Sequence, residues 1–205
     1  MVEKYILKAF TYDEYRNLVD KLVNEGDTTG PEKSASRIDY TKLNRQRMAR
    51  LDKTVVLSEP VRMAAALNTR PMYWLIITES WCGDAAQNIP VIEKIAAESG
   101  IIETRYILRD ENLELMDGFL ENGARAIPKL VAMDRKSFEV ISTWGSRPEA
   151  LKELYAKIKA QGSDKAVISE ALQRWYNTDK GGSLQSEFCE LIKSWSRTTS
   201  AVVAV

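Results

Sequence analysis

Met72-Tyr73-Trp74-Leu75-Ile76-Ile77-Thr78 is a continuous apolar run, without the polar alternation of a strand that faces water on one side. A run of this kind predicts a strand buried on both faces, and therefore a sheet with packed layers above and below it. Glu79-Ser80-Trp81-Cys82 follows directly and leads into a helix predicted from about Gly83 to Ser99, closed by Gly100 and interrupted by Pro90. A buried strand feeding a helix through so short a loop is the start of an α/β unit.

The downstream elements continue the pattern. Ile101 to Leu108 reads as a second strand, and Leu113 to Leu120 as a helix ending at Asn122-Gly123. Beyond Pro128, Lys129 to Met133 and Phe138 to Thr143 read as strands joined at Asp134-Arg135-Lys136. Glu149 to Lys159 reads as a helix with Leu151, Leu154, Tyr155 and Ile158 on one side. Upstream, Thr11-Tyr12-Asp13-Glu14 is a capping box before Tyr15, Leu18, Val19, Leu22 and Val23 at helical spacing. Gly26 to Ser36 is a loop. A second helix is predicted from about Thr41 to Asp52 with Leu43, Met48 and Leu51 inward, and a third from Ser58-Glu59-Pro60 to before Asn68. Ser163 to Trp195 is helical with a break at Gly181-Gly182. The fold class is α/β: a three-layer α/β/α core at 71–162, with helical extensions at 1–70 and 163–205 whose amphipathic stripes need a surface to cover.

Composition removes several chemistries. The chain of 205 residues has no His, which excludes a Ser-His-Asp triad, a Cys-His protease and any His-ligated zinc site. Two cysteines, Cys82 and Cys189, exclude a four-thiolate metal site held by one chain. Lys+Arg and Asp+Glu are both 29, so no overall field attracts nucleic acid or an anionic membrane. The basic face of the second helix (Lys42, Arg45, Arg47, Arg50, Lys53) has no aromatic interleaving and reads as solvated. Gly118 to Gly123 has the glycine spacing of a phosphate loop, but Ala124-Arg125 stands where Lys-Ser/Thr is required. No stretch has the length of a secretory leader or a membrane span, and Ala201 to Val205 reads as a frayed tail. The expectation is a cytoplasmic protein with free thiols, no metal and no resident cofactor.

Chemistry concentrates at Cys82. A Cys at a helix start meets unpaired N–H groups and the positive end of the helix dipole, both of which stabilise a thiolate, so an exposed, reactive thiol is expected. Glu79 and Asp84 flank it and oppose thiolate formation, while Arg125 would offset them; the residues leave the sign of the net shift open. Asp84 either caps the helix or handles a proton, and Trp81 packs at the rim. Cys189, in an apolar-periodic helix beside Phe188, reads as core.

A strand ending in Trp81-Cys82-Gly83, Pro90 eight positions past the Cys, Ile127-Pro128 before a central strand, and Gly145 just past the next strand together resemble the thioredoxin family over about Pro71 to Gln161. The resemblance implies a thioredoxin-like core and a cis peptide bond at Pro128. It further implies a partner-binding loop at Arg125, Ile127 and Pro128, where the Ile127 backbone would engage an extended peptide or a mixed disulfide. Two departures stand out. Ala85 occupies the position of the family's second Cys, and Ile76 that of its buried Asp. With one thiol, a mixed disulfide must be resolved by an external low-molecular-weight thiol, or by Cys189 swinging in. The leading reading is therefore a thioredoxin-like protein whose Cys82 engages disulfide-bearing or thiol-adduct-bearing proteins or small thiols, supported by Trp81, Gly83, Asp84, Ala85 and Glu79. The alternative is a redox-inactive thioredoxin-fold module that binds peptides or acts as a chaperone. A third reading borrows from single-Cys glutaredoxins, which use one Cys from each of two chains plus external thiols to hold an iron–sulfur cluster; the Trp-Cys-Gly-Asp-Ala string departs from their usual motif.

Overall fold

The computed structural model describes residues 2–197, so the apolar segment 201–205 lies outside the described residues. Four strands, β1 (Met72–Thr78), β2 (Ile102–Leu108), β3 (Lys129–Asp134) and β4 (Val140–Gly145), form one sheet in the order β2-β1-β3-β4. β1 runs parallel to β2 and antiparallel to β3, and β3 pairs antiparallel with β4. Nine helices among the described residues surround it: α1 (Glu3–Ile6), α2 (Tyr12–Glu25), α3 (Ala35–Thr54), α4 (Glu59–Ala66), α5 (Gly83–Ser99), α6 (Leu113–Asp117), α7 (Glu149–Ala160), α8 (Lys165–Asp179) and α9 (Gly182–Trp195).

Being central, β1 buries both of its faces, and Trp74, Leu75, Ile76 and Ile77 are fully enclosed. Trp74 meets Phe188 and Trp195 of α9 edge-on, at 5.3 and 5.9 Å between ring centroids. Ile76, on the same face, pairs across the ladder with Tyr106. The Tyr106 ring stacks on Tyr15 of α2, and its hydroxyl donates to Glu93 of α5 at 2.7 Å. Cross-strand partners share a face, so α2, α5 and α9 cover one side of the sheet together. One hydrophobic cluster accordingly joins Tyr15 and Met48 from the N-terminal span, Trp74 from the sheet and Phe188 from the C-terminal span.

Several boundaries differ from the sequence expectation, each for an identifiable reason. α3 starts at Ala35 rather than near Thr41, and its inward face is Thr41, Asn44 and Met48, whereas Leu43 is exposed. Polar residues face inward there because they meet a polar strand-end: Ser80 Oγ lies 3.0 Å from the Thr41 hydroxyl, and the Asn44 amide donates to the Ser80 carbonyl at 2.9 Å. α6 stops at Asp117, ahead of Gly118. β4 begins at Val140 rather than Phe138, whose φ of 58° belongs to the turn. Of the α7 stripe, only Leu151 is buried.

Candidate functional site

The site is built where β1 ends. Thr78 closes the strand, Glu79-Ser80-Trp81 turn the chain, and Cys82 takes the N-cap of α5 in extended backbone conformation (φ −78°, ψ 114°). A hydroxyl cluster fixes the turn from outside. Ser80 Oγ sits 3.2 Å from Thr28 and 3.1 Å from Thr29, and the Ser80 N–H donates to Thr29 Oγ1 at 2.9 Å. The loop between α2 and α3 thereby clamps the residues that lead into Cys82.

The thiol is hydrogen-bonded on both sides. Its sulfur accepts the Ala85 N–H at 3.4 Å and its S–H donates to the Ile127 carbonyl at 3.3 Å. Cys82 is only 7% exposed, which corrects the expectation of an open, reactive sulfur. Burial pushes its pKa up to about 12; the Asp84 carboxylate adds to the rise, and the Ala85 N–H and the Arg147 guanidinium only partly oppose it. The helix end acts as the sequence predicts, but the loss of water around a thiolate outweighs it. Donation to Ile127 needs the proton in place, so geometry and charge agree on a neutral thiol.

The neighbouring candidates separate. Glu79 does not flank the sulfur: it is fully buried, turns to the loop just past β2 and accepts the Asp110 N–H at 2.8 Å, with burial raising its pKa. Asp84 does not cap α5, since Cys82 does. Its carboxylate instead receives Arg147 at 2.6 Å and the Tyr176 hydroxyl at 2.9 Å. Arg125 is not the offsetting cation, because its guanidinium forks onto Asp117 at 2.6 and 2.9 Å on the exposed rim. Arg147, just past β4, takes that part. Gly83 lies beside Arg47, where a Cβ would make only ordinary contact, 3.5 Å from the Arg47 guanidinium. Ala85 is buried beneath the sulfur with no group able to exchange. Trp81 is half-buried, with the guanidinium carbons of Arg37 and Arg109 at 4.1 and 5.0 Å from its ring.

On the facing loop, the Ile127–Pro128 peptide bond is cis. Ile127 presents its carbonyl to Cys82, while its N–H has no partner among the described residues. Gly145 packs behind this loop with φ 143°, and any Cβ there would run into the Pro128 carbonyl. Cys189 is remote in the fold: it is buried on α9 with its thiol on the Pro60 carbonyl at 3.5 Å. Above Cys82 opens a cleft of about 1520 Å³, walled by α3 on one side and by α7 and α8 on the other. Tyr40 and Ser169 meet across it at 3.2 Å.

Arg147 and Tyr176 were absent from the sequence reading, and Arg47 entered it only as part of a solvated basic face, which its partial burial against the cleft corrects. For Arg147 a signal existed, as a cation directly after the Gly145 turn stands at the same end of the sheet as Cys82. Tyr176 is 92 residues from the carboxylate it binds, and no local pattern marks it. No group of His, Cys, Asp and Glu able to hold a metal occurs among the described residues, and none of their helices is long and apolar enough to cross a membrane.

A family model described as thioredoxin matches residues 30–161. The chain belongs to the thioredoxin family. The match begins well before β1, so the family pattern includes α3 as well as the sheet. No curated protein matches the sequence. Among solved structures, the crystal structure of an HIV epitope-scaffold superposes with a TM-score of 0.54 at 16% identity, covering 90% of this chain and 97% of that one. A 1.5 Å crystal structure of a protein of unknown function from Pseudomonas aeruginosa gives a TM-score of 0.50 at 16% identity, covering 84% of this chain and 99% of that one. At such identity these likenesses concern the fold alone.

Proposed function

We propose that this thioredoxin-family chain binds an extended peptide segment in the cleft over Cys82 and carries out no dithiol turnover. The observation that carries the reading is the state of the sulfur: it is buried, protonated and held between the Ala85 N–H and the Ile127 carbonyl, with Ala85 where a second thiol would stand. Two further features support it. The unpartnered Ile127 N–H borders the cleft and offers a partner strand its first hydrogen bond. The cleft also exceeds the roughly 300–1,000 Å³ of a small-molecule pocket, so a segment of chain fits it better than a metabolite.

The test is removal of a thiol cap from a model protein by the parent and by Cys82→Ser. Equal, background-level rates are expected. Turnover that depends on Cys82 would replace this reading with single-thiol exchange, which one observation favours: Cys82 is among the residues that line the cleft. In that chemistry the Cys82 thiolate attacks the mixed disulfide, forms a new S–S bond and expels the partner's thiolate. An external low-molecular-weight thiol, itself oxidised to a disulfide, then regenerates Cys82.

A further inference from the structure

The cations around the cleft are not equally engaged. Arg37 and Arg109 are held by Asp110, Arg125 by Asp117, Arg147 by Asp84 and Lys152 by Glu121. Arg47, Lys159 and Lys165 line the same cleft and form no ion pair among the described residues, against one unpaired acid there, Glu153. Arg47 is the informative member. Its guanidinium is partly buried, enough that loss of water lowers its pKa; Asp84 acts on it only beyond ion-pair distance, and the one hydrogen bond it makes among the described residues is to the neutral Asn44 amide oxygen at 3.0 Å. A partly desolvated guanidinium with no carboxylate in direct contact is costly to maintain unless an anion meets it. The three free cations stand on three helices, Arg47 on α3 at one side of the cleft, and Lys159 near the end of α7 with Lys165 at the start of α8 at the other. An extended chain that crosses the cleft therefore passes from one to another.

We propose that the occupant of the cleft is an acidic extended peptide, whose carboxylates are received by Arg47, Lys159 and Lys165. The proposal rests on the peptide-binding reading given above and adds the charge of the partner. Clefts concentrate the field of their lining charges, so selectivity arises here although the whole chain carries no net charge.

The experiment is calorimetric titration of the full chain with two series of short extended peptides, one carrying Glu at alternate positions and the other Gln at the same positions. At low salt the Glu series is expected to bind about ten-fold tighter, a preference that shrinks as salt is raised. Arg47→Gln is expected to remove most of that preference. The exposed pair Lys159→Gln and Lys165→Gln, which cannot disturb packing, should reduce it as well. Equal binding of both series overturns the charge assignment and leaves the peptide cleft standing, whereas binding of neither series overturns both. Free glutarate binding as tightly as the Glu peptides would make the occupant a small carboxylate and overturn the peptide.

Discussion

Arg147 grips the Asp84 carboxylate at 2.6 Å, two residues past the thiol of Cys82, and the two charges act on that thiol in opposite senses. Asp84 disfavours the thiolate and Arg147 counters that effect less strongly, while burial is the largest cause. Asp84→Asn should therefore speed alkylation of Cys82 by about ten-fold at fixed mildly alkaline pH, and Arg147→Met should slow it comparably. Rates that respond to neither change would show that the pair does not act on the sulfur.

A second expectation concerns alkaline stability. The folded-state pKa of Cys82, about 12, lies above its ordinary value of 9.0, so between those values the folded chain holds a proton that the unfolded chain has lost. Stability present below pH 9 is then lost as pH rises through that window, with a slope of up to about 1.4 kcal/mol per pH unit. Cys82→Ala lacks this contribution. Denaturant melts from pH 8 upward should show the parent falling more steeply than the variant, and parallel curves would contradict the assignment.

Gly145→Ala tests the packing behind the Ile127–Pro128 loop. The substitution places a methyl group against the Pro128 carbonyl on a backbone at φ 143°, which L residues rarely adopt. A loss of about 2–3 kcal/mol is expected from strain and overlap together, read as a shift in the urea midpoint at unchanged m-value.

Ala85→Cys restores a second thiol on the first turn of α5. Ala85 is buried and its N–H already contacts the Cys82 sulfur at 3.4 Å. A disulfide that forms on mild oxidation, together with disulfide reduction faster than the parent's, is the expected outcome. A variant that folds normally and keeps both thiols reduced would contradict it.

Features set by neighbours along the chain were readable in advance. Thr11 and Glu14 make their reciprocal cap, Gly26 and Gly100 end α2 and α5 in the left-handed region, and the apolar run at Met72 became the buried strand. In each case the physics acts within a few residues: a side chain reaching its own helix end, a glycine free of a Cβ, a strand with no polar face. The order of Trp81-Cys82-Gly83, Pro90 and Ile127-Pro128 likewise carried the family resemblance, because those positions recur at fixed separations.

What contacts across the fold decide was not readable. Glu79 and Asp84 look equivalent beside Cys82, yet one turns to Asp110 and the other to Arg147 and Tyr176. Arg125 looked like the balancing cation until Asp117 claimed it. Thus the residues alone determined a thioredoxin-type α/β scaffold with a cysteine at the head of its helix. Whether that cysteine would be charged fell to the tertiary structure, since the cost of a thiolate depends on how much water and which charges the distant parts of the chain leave around the sulfur.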